Sequence, residues 1–225
     1  KRRIERRRRQ IASRTGTVAR TFEHVVDALT ELDYLAVTGT GDRTRVTVQP
    51  WGALLRRIYG DRDLLIAECL RRDAWAGIDA AGLAALCCAL TYEPRRDDDG
   101  DPRVPGGVFP RVFEAQLDVW VEIDDLAESH RLPQTEPPHP GLALAMHAWA
   151  TGGTLERVLE ISWASAGDFV RWSKQTIDLL DQLAQASEAG VAAKLEIERL
   201  RAFAKLARDA KRLILRGIVE ASSGS

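Results

Sequence analysis

The stretch AGDFVRWSKQTIDLLDQLA, residues 166–184, decides the reading of the chain. On a wheel of about 3.6 residues per turn it sorts into two sides. Phe169, Trp172, Thr176, Leu179, Leu180, Leu183 and Ala184 form a broad apolar side. Arg171, Lys174, Gln175, Asp178, Gln182 and Gln185 line up opposite them, at spacings of three and four. Such a helix buries one side in a bundle and keeps a continuous polar stripe outside. The stripe mixes donors with acceptors, a set suited to both phosphates and base edges. On periodicity alone, a solvated face is the commoner meaning of such a stripe.

The neighbouring sequence extends the same pattern. The helix is expected to run over about 166–188, with a last helix over about 192–220. Leu195, Phe203, Leu206, Ala210, Leu213 and Ile214 form the apolar side of that last helix. Lys194, Arg201, Lys205, Arg208, Arg212 and Arg216 make a basic stripe on it. Arg201, Lys205, Arg208 and Arg212 are candidate phosphate contacts, and a solubilising surface is an equal alternative. Upstream, helices are expected at about 61–72, 80–90 (capped by Asp79), 108–130, 141–151 and 154–161. Pro133, Pro137, Pro138 and Pro140 break the chain between two of them, and the acidic Pro/Gly-rich stretch 94–107 reads as a surface loop.

The N-terminal part reads differently. Residues 17–32 place Phe22, Val25, Val26, Leu29 and Leu32 on one helical face. Leu35–Thr38 and Thr44–Val48 are β-branched runs flanking Gly39-Thr40-Gly41-Asp42, a hairpin signal. Pro50 suits the first position of a helix over Trp51–Tyr59. A helix followed by a two-stranded wing is how a winged-helix domain ends. The expected fold is therefore mainly α: a helical bundle containing the long 166–188 helix, preceded by a partial winged helix with a small β-hairpin. The divisions are 1–14, a basic linker or arm; 15–60, the end of a winged helix; 61–220, the bundle; and 221–225, a tail.

Bulk properties narrow the function classes. The formal net charge is −1, so whole-chain charge points to no nucleic-acid partner, although seven of the first nine residues are Lys or Arg. Charge is therefore read locally. No apolar run reaches the roughly 20 residues that span a bilayer, so no membrane partner is expected. Cys69, Cys87 and Cys88 fall inside apolar helical patterns and read as reduced core thiols of a cytoplasmic protein. The chain does not begin with Met, which reads as a fragment of something longer.

Catalytic signals are missing. There is no G-x-x-x-x-G-K-[ST] phosphate loop, and Gly39-Thr40-Gly41 sits at a hairpin tip rather than between a strand and a helix. His24, His130, His139 and His147 lack metal-ligand spacing. Asp124 and Asp125 are adjacent, so they point to different sides of their helix. No catalytic, cofactor-binding or metal-binding residue is assigned, and no activity is expected from the chain alone.

Five blocks in order resemble one family: DRDLLIAECLRRDAW (61–75), LAALCCALTYEPRRDD (83–98), HRLPQTEPPHPGLALAMHAWATGGTLERVLE (130–160), AGDFVRWSKQTIDLLDQLA (166–184) and RLILRGIV (212–219). Together they are similar to the C-terminal (DSHCT) domain of Ski/Mtr/HelY-type superfamily 2 RNA helicases, most of all to actinobacterial HelY-like members. The resemblance implies two RecA-like motor domains elsewhere in the same protein, which bind ATP and Mg²⁺. It implies a helical bundle that helps enclose single-stranded RNA moving 3′ to 5′. The 166–184 block corresponds to the family's strand-facing ratchet helix, which marks Arg171, Lys174, Gln175, Asp178 and Gln182 as RNA-binding candidates. Gln175 and Asp178 fall where related enzymes approach bases. Many relatives carry Arg and Glu there, so Gln175 is a departure that removes a charge and a stacking guanidinium. The family often inserts an arch into the winged helix, and residues 1–14 stand where such an insertion rejoins.

Three other readings remain open on sequence: a winged-helix regulator with a helical dimerisation domain, a scaffold whose stripe faces water, and an accessory domain of a helicase acting on DNA.

Overall fold

A computed structural model describes residues 18–94, 102–162 and 164–215. The basic arm 1–14, the acidic loop residues Asp97–Asp101, Trp163, Arg216 and the tail 221–225 lie outside the described residues. Helix α1 covers 18–31 and leads into strands β1 (Leu35–Thr38) and β2 (Arg45–Val48). The strands pair antiparallel, with Leu35 opposite Val48 and Thr38 opposite Arg45. The tip needs Gly39, whose φ is +84° and where a Cβ would stand 2.4 Å from the Arg43 carbonyl oxygen. Among the described residues no other strand occurs, as the expected bundle requires.

The remainder is helical: α2 (Pro50–Leu55), α3 (Asp63–Arg71), α4 (Ala80–Thr91), α5 (Phe109–Ser129), α6 (Ala143–Ala150), α7 (Leu155–Ser162), α8 (Ala166–Ala192) and α9 (Ile197–Leu215). Helix α4 is the hub. Its residues Ala81–Leu90 are all buried, because Ala, Leu and Cys surround it on every side. It packs on α6, α8 and α9. Asp79 caps it, accepting the Gly82 N–H at 2.7 Å. Cys69, Cys87 and Cys88 are buried and unpaired, as expected, and burial pushes the Cys88 thiol up to about 12.

Helices α8 and α9 form an antiparallel pair along one side of α4. Lys211 meets Asp181 at 2.6 Å and Arg208 meets Glu188, so rising numbers on one helix match falling numbers on the other. The turn between them differs from the expected one. Helix α8 continues through Gly190 to Ala192, and α9 starts at Ile197. Gly190 falls in the expected break, and it is a packing position: a Cβ there would lie 2.5 Å from Leu200 Cδ1 and 3.1 Å from Leu54 Cδ1. Helix α2 also stops early, at Leu55 rather than Tyr59. Ile58 turns back into the core, 3% exposed, and leaves Tyr59 outside.

The proline-rich segment 132–140 is strapped across the end of α4. Trp120 Nε1 donates to Thr135 Oγ1 at 3.2 Å, Asp124 accepts from Gln134 Nε2 at 2.8 Å, and the His139 N–H donates to the Ala89 carbonyl at 3.0 Å. Arg62 joins strap to helix, donating to the Leu90 carbonyl at 2.6 Å and the Glu136 carbonyl at 2.9 Å. Asp124 thus has a structural role, and Asp125 is exposed beside it.

Candidate nucleic-acid interface

Helix α8 is positioned by its buried side. Phe169, Trp172, Thr176, Leu179, Leu180, Leu183 and Ala184 are all buried. Trp149 meets Phe169 edge-on with centroids 5.9 Å apart, and Tyr92 meets Trp172 the same way at 5.3 Å. Its start is fixed by Ser165, whose Oγ accepts the Asp168 N–H at 3.1 Å. With one side fastened in this way, Arg171, Lys174, Gln175, Asp178 and Gln185 are exposed. The Arg171 guanidinium lies over the Trp172 ring, 4.3 Å from its centroid.

The stripe then divides. Gln175, Asp178 and Gln182 line a cleft of about 370 Å³, whereas Arg171 and Lys174 do not line it. The opposite wall comes from the turn after α2 and from the end of α4, through Tyr59, Asp61, Arg62 and Glu93. Gln182 is half-buried, and its Oε1 accepts the Tyr59 backbone N–H at 2.8 Å, which ties that turn to α8. Gln182 is therefore partly committed to holding the wall. Among the described residues, the cleft carries three carboxylates, Asp61, Glu93 and Asp178, against the guanidinium of Arg62. Burial lowers the Arg62 pKa, opposed by the charges of Glu93, Asp61 and Glu136.

The basic stripe of α9 is placed elsewhere. Arg201, Lys205, Arg208 and Arg212 are exposed, and none lines the cleft. Arg201 pairs with Glu198 at 3.3 Å, Arg208 with Glu188 and Arg212 with Asp209. Pairs this exposed exchange readily with solvent and are individually weak. The stripe is thus a mixed-charge surface rather than a run of open cations.

Sequence reasoning does not single out Tyr59, Asp61, Arg62 and Glu93 as binding residues. No periodicity distinguishes them, because three lie in turns and the fourth follows a helix end. The available signals are the family blocks: Asp61 and Arg62 open the first, and Glu93 stands within the second. Among the described residues, no cluster of three or more His, Cys, Asp and Glu residues is arranged to hold a metal ion. No described helix is long and apolar enough to cross a membrane.

Comparison with known proteins finds relatives among helicases. The chain is 40% identical over 192 residues to a probable helicase HelY from Mycobacterium leprae, covering 80% of this chain and 20% of the relative. It is 35% identical over 192 residues to the probable helicase HelY of Mycobacterium tuberculosis, with the same coverage. It is 33% identical over 168 residues to an Arabidopsis thaliana protein named DExH-box ATP-dependent RNA helicase DExH9, covering 70% of this chain and 16% of that protein. The chain thus spans about a fifth of the length of the curated relatives it matches. The DSHCT (NUC185) domain family matches residues 45–222, from the second strand of the hairpin through the whole described bundle. By that match, over more than half of its length, the chain belongs to the DSHCT domain family.

Proposed function

We propose that this chain is the C-terminal, strand-guiding part of an ATP-dependent RNA helicase. In this reading the exposed face of α8 touches single-stranded RNA as the strand moves 3′ to 5′. RecA-like domains of the same protein bind ATP and Mg²⁺ and supply the motion. The chain's contribution is contact and positioning. Arg171 and Lys174 meet phosphates, while Gln175 and Asp178 face the bases. The α9 residues Arg201, Lys205, Arg208 and Arg212 exchange their acidic partners for phosphate only where the strand passes close by.

One observation carries the reading. A 27-residue helix is buried along its whole apolar side yet keeps Arg171, Lys174, Gln175 and Asp178 exposed on one line that runs into a cleft. The helicase names of the relatives support it, and the name of the Arabidopsis protein favours RNA. The test is fluorescence anisotropy of the 225-residue chain with a labelled single-stranded RNA, the same sequence as DNA, and a DNA duplex. Single-stranded RNA is expected to bind tightest. Arg171→Ala with Lys174→Ala should flatten the salt dependence, the slope falling by about 0.7 for each phosphate that is no longer neutralised. Preference for the DNA duplex would favour the regulator reading, preference for the DNA single strand a DNA helicase, and no binding at all a scaffold. In the full-length protein, Gln175→Ala with Asp178→Ala should slow unwinding more than it slows ATP hydrolysis.

A further inference from the structure

We infer that the cleft beside α8 reads the base rather than the backbone, selecting a base with adjacent N–H donors on its Watson–Crick edge, guanine first and uracil last. The inference rests on the proposed contact with single-stranded RNA and adds specificity residues from outside α8: Tyr59, Asp61 and Glu93.

Charge argues first against phosphate. Asp61, Glu93 and Asp178 set three carboxylates on the cleft against one guanidinium. That guanidinium is already committed, since Arg62 donates to the Leu90, Glu136 and Pro137 carbonyls. A phosphate entering here meets like charge at short range, and among the described residues no cation other than Arg62 lines the cleft. The cations of α8, Arg171 and Lys174, lie outside the cleft. A strand following them keeps its backbone at the rim and leaves its bases free to turn inward.

The wall chemistry then selects among bases. An ionised carboxylate only accepts hydrogen bonds. Gln182 presents its amide nitrogen as a donor, because its oxygen is occupied by the Tyr59 N–H at 2.8 Å. Guanine offers N1–H and N2–H side by side, which one carboxylate takes with two parallel bonds. Cytosine and adenine offer one amino group next to a bare acceptor. Uracil offers a single N–H between two carbonyls, and both carbonyls would face carboxylate oxygens. Unstacked bases of single-stranded RNA are read along this edge.

Tyr59 supplies the face for the base. The residue is 70% exposed at the wall of the cleft. Its backbone is anchored to α8 through Gln182, and Ile58 beside it is buried. An aromatic ring held out on a fixed backbone is a stacking platform that every base can use. The cleft volume of about 370 Å³ suits a ligand of base size.

The experiment uses the 225-residue chain and three RNA decamers: all uridine, the same with three central guanosines, and the same with three central inosines. Inosine keeps N1–H and lacks the amino group. The guanosine decamer should bind about tenfold tighter than the uridine decamer, with inosine between them. Asp178→Asn with Glu93→Gln keeps the shape of the cleft and should bring the guanosine and uridine decamers within about twofold of each other. Tyr59→Ala should weaken all three decamers by a similar factor. Equal affinity for all three in the unmodified chain overturns base selection and leaves RNA binding standing. A preference that survives Asp178→Asn with Glu93→Gln overturns the assignment to this cleft. Failure to bind any decamer overturns the RNA reading and base selection together.

Discussion

Glu68 is the residue on which the two halves of the chain meet. It is 2% exposed. Its carboxylate accepts from the Tyr34 hydroxyl at 2.7 Å and from Arg72 Nε at 2.8 Å, with Arg71 at 3.4 Å. Arg71 in turn donates to the Leu32 carbonyl at 2.5 Å and lies over the Tyr34 and Trp51 rings. The end of α1, the start of the hairpin, α2 and α3 are thereby fastened through one buried acid. Burial and the neighbouring Glu68 charge together push the Tyr34 phenol far above its ordinary range, so it stays protonated and donates at any working pH. Gly52 tightens the same junction, since a Cβ there would stand 2.4 Å from the Tyr34 carbonyl oxygen. Glu68→Ala leaves the Tyr34 hydroxyl without its acceptor and takes one partner each from Arg71 and Arg72, which keep the Leu32 carbonyl and Glu122, and should cost about 1–3 kcal/mol, mostly from the orphaned hydroxyl. Tyr34→Phe removes one donor and should cost about 1–3 kcal/mol. Urea titrations of both variants measure the difference. A loss under about 1 kcal/mol for Glu68→Ala would show that the network contributes little.

At the scale of elements, five of the described helices share one way of stopping. After α1, α3, α5 and α8 the chain passes through a left-handed residue: Asp33 (φ 59°), Asp73 (φ 54°), Arg131 (φ 55°) and Lys194 (φ 62°). In each case the next N–H reaches back five residues: Tyr34 to Leu29, Ala74 to Cys69, Leu132 to Ala127 and Leu195 to Gly190, at 2.8–3.0 Å. This is a Schellman cap, which normally uses glycine at the left-handed position. Only the stop after α6 does so, with Gly152 at φ 104°. The expected break at about 189–191 falls short of the observed turn at 193–196, because Lys194, which takes the left-handed position, is not a residue that signals a stop. Lys194 holds a strained backbone, costing about 1–2 kcal/mol against about 0.4–1 kcal/mol of extra chain entropy for glycine. Lys194→Gly should therefore stabilise by about 0.5–1 kcal/mol in a urea titration. Destabilisation would mean that the lysine side chain makes a compensating contact.

The whole molecule packs around one continuous core, from Tyr34 of the N-terminal part to Ile214 of α9. Its tryptophans are spread through that core: Trp75, Trp149 and Trp172 are buried, and Trp51 and Trp120 pack against it. Tryptophan fluorescence and far-UV circular dichroism should therefore follow a single urea transition and superimpose. Two separated transitions would show that the hairpin region and the bundle unfold independently. The sequence by itself determined the mainly helical class, the single hairpin, the burial of the three cysteines and the split of α8 into a buried and an exposed side. These follow from local chemistry: period, caps, prolines and glycines act over a few residues and can be read in order. It also placed Gln175, Asp178 and Gln182 on one line. Only the tertiary structure decided that this line faces Tyr59, Asp61 and Glu93 across a cleft, that Arg171 and Lys174 remain outside it, and that Arg208 is paired with Glu188. Those partners stand far apart in the chain, as Tyr59 and Gln182 do, and what brings them together is the packing of α8 on α2, α4 and α9. Such contacts depend on how side chains fill the space between helices, a property of the assembled core that no single stretch of the chain contains.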